Sequence, residues 1–146
     1  MDRNVKLPPP SLENTKCAAL KAELAAQARP QVIPIQRFFD GNDDPGSIGC
    51  NLLDRPGFEE FRNLLTGLLR RRDVQAVYAM IAELHPGPDS WPFADTVFVV
   101  GPILPDFLGL ILSPLEPDEI ELCDESSVPL LIKQNHQAPV LSVWWD

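Results

Sequence analysis

The spacing of apolar positions changes several times along this chain, and each change marks an element. Phe58, Phe61, Leu64, Leu65, Leu68 and Leu69 recur at helical intervals. Asp54 is placed to cap that helix, Pro56 suits its first turn, and Glu59 and Glu60 lie near the positive end of its dipole. Arg70, Arg71 and Arg72 close the last turn, where cations are favoured, and they read as a solvated terminus rather than an anion site. Phe61 and Leu65 fall on the apolar stripe and are expected in the core.

Asp95–Gly101 is a continuous run of β-prone residues and predicts a buried strand. Val74–Leu84 fits a helix on one set of positions and a strand face on another. A strand is the better reading, since a helix here would leave the sheet thin. Pro105–Leu112 predicts a short helix, Ile120–Cys123 a strand and Val140–Trp145 a last strand. Upstream, Val32, Ile33, Ile35, Phe38 and Phe39 are β-prone, and Asp40–Gly46 is dense in turn residues. With Ser47–Leu53 returning, these predict a hairpin.

Residues 1–12 contain Pro8-Pro9-Pro10 and no periodicity, which predicts a disordered tail. Leu12–Ala28 is rich in helix formers and closed by Pro30, and its apolar positions are mostly alanine. Residues 13–30 are therefore expected as an accessory helix, and 31–146 as one α+β domain. Its expected sheet is antiparallel or mixed, with helices on one face, in the ferredoxin-like βαββαβ order with additions.

Composition sharpens this picture. Proline supplies 16 of 146 residues, about twice its ordinary share, so elements should be short. The net charge is −9. Asp73 to Ile132 holds 11 of the 21 acids and no Lys or Arg. Phosphate backbones and anionic bilayers both call for basic residues, so neither nucleic acid nor membrane is an expected partner. A basic protein is. Val97–Leu115 carries one charge, Asp106, but prolines and glycines divide it into pieces too short to span a bilayer. Cys17, Cys50 and Cys123 are odd in number and far apart, without zinc-ligand spacing. They predict no disulfide, no structural metal and a reducing cytoplasmic setting.

Candidate chemistry is sparse. Asp40, Asn42 and Asp44 alternate as in the start of an EF-hand loop, but Pro45 stands where glycine is needed and Asn51 where glutamate is needed. Gly46-Ser47-Ile48-Gly49 evokes a hydrolase elbow, yet its first position is Pro45. His85 and His136 belong to no nucleophile–base motif. No catalytic residue and no cofactor is assigned.

Glu116, Asp118, Glu119, Glu121, Asp124 and Glu125 place six carboxylates within ten residues. They form either a docking face for a cationic partner or a solvated surface that keeps an edge strand from pairing. Indoles are common interface anchors, but Trp91, Trp144 and Trp145 are read as core anchors, because the residues flanking them already read as strand.

Phe38-Phe39-Asp40-Gly41-Asn42, Gly46–Leu52, Trp91–Val97 and the terminal Trp144-Trp145-Asp146 resemble phrases of a family of small uncharacterised bacterial proteins. The resemblance covers Gln31–Asp146 and implies a bacterial cytoplasmic origin, with no activity attached.

The leading expectation is a non-enzymatic interaction module that binds a basic protein through its acidic face. An immunity- or antitoxin-like role is one concrete form. The rival is a small enzyme or ligand-binding domain with a site at Asp40, Asn42, Asp44, Trp91 and Asp95. A homodimer formed through the sheet is the third reading.

Overall fold

A computed structural model describes residues 12–49, 57–87 and 90–146. The expected tail up to Ser11, the helix cap at Asp54 with Pro56, and the return strand beyond Gly49 lie outside the described residues.

Helix α1 (Leu12–Ala25) is held by Leu20 and Leu24, both buried in the main core. Its alanines at 18, 19, 22 and 25 face solvent, so the leucines and not the alanines make the contact. The chain then forms a three-residue strand β1 (Val32–Pro34) and turns at once into a short helix α2 (Ile35–Phe39). This corrects the expected strand through Phe39 and its hairpin. Pro34 has a φ of −53°, which suits a helix start. Ile35, Phe38 and Phe39 then share one helical face, all buried. Ser47–Gly49 does not return along β1. Ile48 instead makes a single parallel bridge to Ala94.

Helix α3 (Phe58–Gly67) starts at Gly57 and tightens into a 3-10 turn over Leu68–Arg70. Phe61, Leu65 and Leu68 are buried, as the stripe requires. Arg71 is tied to Asp73 by two hydrogen bonds, Nε to Oδ1 at 2.9 Å and a terminal nitrogen to Oδ2 at 3.2 Å. Strands β2 (Ala76–Glu83) and β3 (Phe93–Val100) form the central hairpin, with Tyr78 opposite Phe98. Gly101, at φ +145°, must be glycine, because a Cβ there would lie 2.2 Å from the Asp73 carbonyl oxygen. Helix α4 (Pro105–Leu112) and strand β4 (Glu119–Leu122) follow as expected. Helix α5 (Leu130–Asn135), which the periodicity did not reveal, precedes strand β5 (Val140–Trp144).

All pairings in the five-stranded sheet are antiparallel, in the order β1-β2-β3-β5-β4. Strand, helix, strand, strand, helix, strand does occur along the chain. The split arrangement of ferredoxin-like domains does not, because β1 lies directly beside β2 and β5 inserts between β3 and β4. The sheet also has helices on both faces. Leu20, Phe38, Phe61, Leu65, Leu108 and Leu112 pack with Val97, Val99 and Val143 on one side. On the other, Ile132 of α5 packs with Tyr78, Phe98, Val100 and Val140. Among the described residues no helix is long and apolar enough to cross a membrane.

Candidate functional site

The turn after α2 is an interlocked polar cluster. Asn42 is only 1% exposed. Its amide nitrogen donates to the Phe38 carbonyl at 3.2 Å and to Ser47 Oγ at 3.0 Å, and its Oδ1 accepts from the Asp44 N–H at 2.9 Å. Asp44 accepts from the Gly46 N–H on Oδ1 at 2.9 Å and from the Trp91 N–H on Oδ2 at 3.0 Å. The structure therefore brings Asn42, Asp44 and Trp91 together. Asp40 instead pairs with Lys16 Nζ at 2.6 Å, and Asp95 accepts from its neighbour Thr96. The oxygens of Asn42 and Asp44 face their own backbone, which holds the turn in shape rather than presenting a cation cage. Two buried donors nearby, Trp91 Nε1 and Arg62 Nε, have no acceptor among the described residues.

The four phrases that carried the family resemblance also converge. Asn42 of the first phrase donates to Ser47 Oγ of the second at 3.0 Å, and the Ser47 carbonyl accepts from the Ala94 N–H of the third at 2.8 Å. The Trp145 N–H donates to the Asp95 carbonyl at 2.9 Å, while its indole donates to the Leu115 carbonyl at 2.8 Å. Phe61 stands edge-on to Trp145 with ring centres 5.4 Å apart. The same ring excludes any side chain at Gly49, where φ is +64° and a Cβ would approach to 2.5 Å. Cys50–Leu52 of the second phrase lie outside the described residues. Trp91 and Trp145 are buried, whereas Trp144 is 39% exposed.

The six carboxylates of the acidic segment are all exposed, but they are used differently. Asp118 accepts from the Asp146 N–H at 2.6 Å. Asp124 accepts from the hydroxyls of Ser126 and Ser127 and from the Ser127 N–H, closing a 3-10 turn at Glu125–Ser127. These donors, the Ser126 hydroxyl first, hold its carboxyl below the usual range. Glu116 adopts the left-handed conformation at φ 53°, and Glu125 opens the 3-10 turn. Glu119 and Glu121 alternate along β4 and so share one side of the sheet. They stand opposite Trp144 and Ser142 of β5. Among the described residues, no Lys or Arg pairs with any of the six.

The sheet face under α5 carries a contact that sequence reasoning missed. His136 Nε2 lies 3.0 Å from the Tyr78 hydroxyl and ties the end of α5 to β2. Burial pushes the Tyr78 phenol up. His136 borders a cavity of about 540 Å³ together with Cys123 and Lys133. Burial also raises the Cys123 thiol, which leaves it protonated rather than activated as a nucleophile. The partners are 58 residues apart, so no local motif could announce the pair. Among the described residues, no three His, Cys, Asp or Glu side chains gather as a metal cage.

The chain belongs to the Uncharacterized protein YfbO family, whose model matches residues 15–143. The match begins inside α1, so the family unit includes the helix that the resemblance had left as an extension. No curated protein and no solved structure matches the chain.

Proposed function

We propose that this chain is a non-enzymatic interaction module that engages a basic protein through the acidic edge of its sheet. One observation carries the reading. Glu119 and Glu121 project from the same side of an outermost strand, without a cation among the described residues, beside a partly exposed Trp144. Unpaired carboxylates steer a cationic partner over about a Debye length, roughly 8 Å at physiological salt. An exposed indole supplies the apolar anchor typical of binding hot spots. Neutralising a basic effector, as an immunity protein or antitoxin does, is one role that such a surface suits. The ligand-site reading at Asp40–Gly46 has less support, because the oxygens of Asn42 and Asp44 already serve the turn.

The test compares wild type with Glu119→Gln/Glu121→Gln. Both baits are used for capture from native cell extract, and association with the captured protein is then timed at low and high salt. The variant should unfold within ~0.5 kcal/mol of wild type, as exposed positions do. Association should be several-fold slower for the variant, with a flatter salt dependence, because exposed charges act mainly on the on-rate. Equal rates and equal salt slopes would remove the charge-steering basis of the proposal.

A further inference from the structure

The two edges of the sheet are finished differently. At β1, the Val32 N–H donates to Gln27 Oε1 at 2.8 Å, and the Val32 carbonyl accepts from Gln27 Nε2 at 3.0 Å. The Gln31 carbonyl accepts from the Ile81 N–H at 2.9 Å, within the ladder to β2. Val32, the next residue along, therefore turns its peptide groups outward, where the glutamine amide occupies both. The next outward-facing position, Pro34, has no N–H to offer. This edge is sealed.

At the opposite edge, β4 has a single neighbour, β5. The Cys123 N–H donates to the Val140 carbonyl at 2.9 Å, which places residues 119, 121 and 123 in the hydrogen-bonded register. Ile120 and Leu122 consequently direct their N–H and C=O groups away from the sheet. Among the described residues no side chain is bonded to them as Gln27 is to Val32. Edges are commonly protected by charged side chains, proline, a bulge or a covering element. A charge of one sign protects against strands of that sign while leaving oppositely charged ones free to pair. This edge carries glutamates at alternate positions, with Leu122 64% exposed between the sheet and solvent.

Resting on the acidic-edge reading above, we infer that the partner contributes an extended cationic strand that adds to β4. The incoming strand alternates Lys or Arg with apolar residues. Its cations stand opposite Glu119 and Glu121, and its apolar side chains lie over Ile120 and Leu122. Its backbone satisfies the outward groups of Ile120 and Leu122, the mode of strand addition seen in peptide-binding domains. Opposite charges across a ladder are favourable and like charges are not. A second copy of this chain is therefore a poor occupant, because it would bring its own glutamates to the same row on a molecule of net charge −9.

Three kinds of synthetic peptide, equal in charge, test this. The first is a hexamer in which lysine and valine alternate. The second is the same hexamer N-methylated on alternate amides, in either frame. The third is a block isomer, with all its lysines placed before all its valines. Binding to the full chain is measured by calorimetry, together with hydrogen exchange at the Ile120 and Leu122 amides. The alternating peptide should bind at least tenfold more tightly than the block isomer. N-methylation in one frame, or Leu122→Pro in the protein, should weaken it at least tenfold. The proline removes an outward N–H and no ladder bond, so the fold should tolerate it, and exchange in the wild type gives an answer if it does not. Slowed exchange at Ile120 and Leu122 supports strand addition. If all the peptides bind alike and exchange is unchanged, strand addition is wrong while the acidic edge remains a charge-steered surface. If no cationic peptide binds, both readings fall.

Discussion

The Asp40–Gly46 turn and the Glu119–Leu122 strand use the same acidic and amide chemistry to opposite ends. In the turn, Asn42 and Asp44 accept from backbone groups of Asp44, Gly46 and Trp91, and Asp40 meets Lys16. On the strand, Glu119 and Glu121 stand in solvent beside a backbone edge that nothing among the described residues covers. Density of carboxylates therefore does not by itself mark a site. What distinguishes the two is whether the lone pairs are already engaged within the fold. The turn is a clasp between helix and sheet, and the strand is a surface with free bonding capacity.

That contrast is broken most severely by removing what the clasp closes on. Phe61 packs edge-on to Trp145 and against Gly49. Phe61→Ala should cost about 3–5 kcal/mol, the usual range for deleting a buried aromatic ring. Urea unfolding measures it, and a loss under about 1 kcal/mol would mean that this region is not the interlocked part of the molecule.

A smaller effect should come from the polar half of the clasp. Asn42→Ala leaves the Asp44 N–H, Ser47 Oγ and Phe38 carbonyl each one partner short in a buried place. About 1–3 kcal/mol should be lost, the penalty for unsatisfied buried polar groups. If the variant instead unfolds like wild type, the turn's hydrogen bonds are replaceable by water and its distinction from the acidic strand narrows.

How much of this was legible follows from the range of each signal. Helix α3 declares itself through periodicity and strands β3 and β5 through β-prone runs, all within a short local window. Strand β2 fits both periods and reads as a strand only because the sheet needs one. The structure places all four there. Helix α2 does not declare itself, because Phe38 and Phe39 are β-prone and Ile35–Phe39 is too short for a period to register. Helix α5 was hidden for the same reason, as Leu130–Asn135 offers only six residues. The alternation of Glu119 and Glu121 with Ile120 and Leu122 was present in the sequence. An edge position was only one of the readings open to it, since strand order depends on how β5 passes between β3 and β4. The seal at the other edge was invisible. Gln27 reads as a polar residue near a helix end, and only the fold sets its amide against Val32.

The smallest expected effect tests the contrast from within the acidic segment, at the one carboxylate there that the Ser126 and Ser127 hydroxyls clasp. The Ser126 hydroxyl, then that of Ser127, then the Ser127 N–H hold Asp124 below the ordinary carboxyl range. A carboxyl depressed on folding adds stability that is fully present above its unfolded pKa, near ~3.9. That stability is lost as pH falls through the lower folded value. Asp124→Asn keeps an acceptor oxygen but removes the charge, so it forms the weaker, neutral version of the same bonds. The stability difference between wild type and Asp124→Asn should therefore stay constant from neutral pH down to about 5 and shrink below about 4. Because the group is exposed, raising salt should reduce the difference further. A difference that stayed flat into the acid range would show that the serine contacts do not favour the charged carboxyl on folding. Asp124 would then belong with Glu119 and Glu121 as open surface, and its amide variant could join theirs in the partner-binding test.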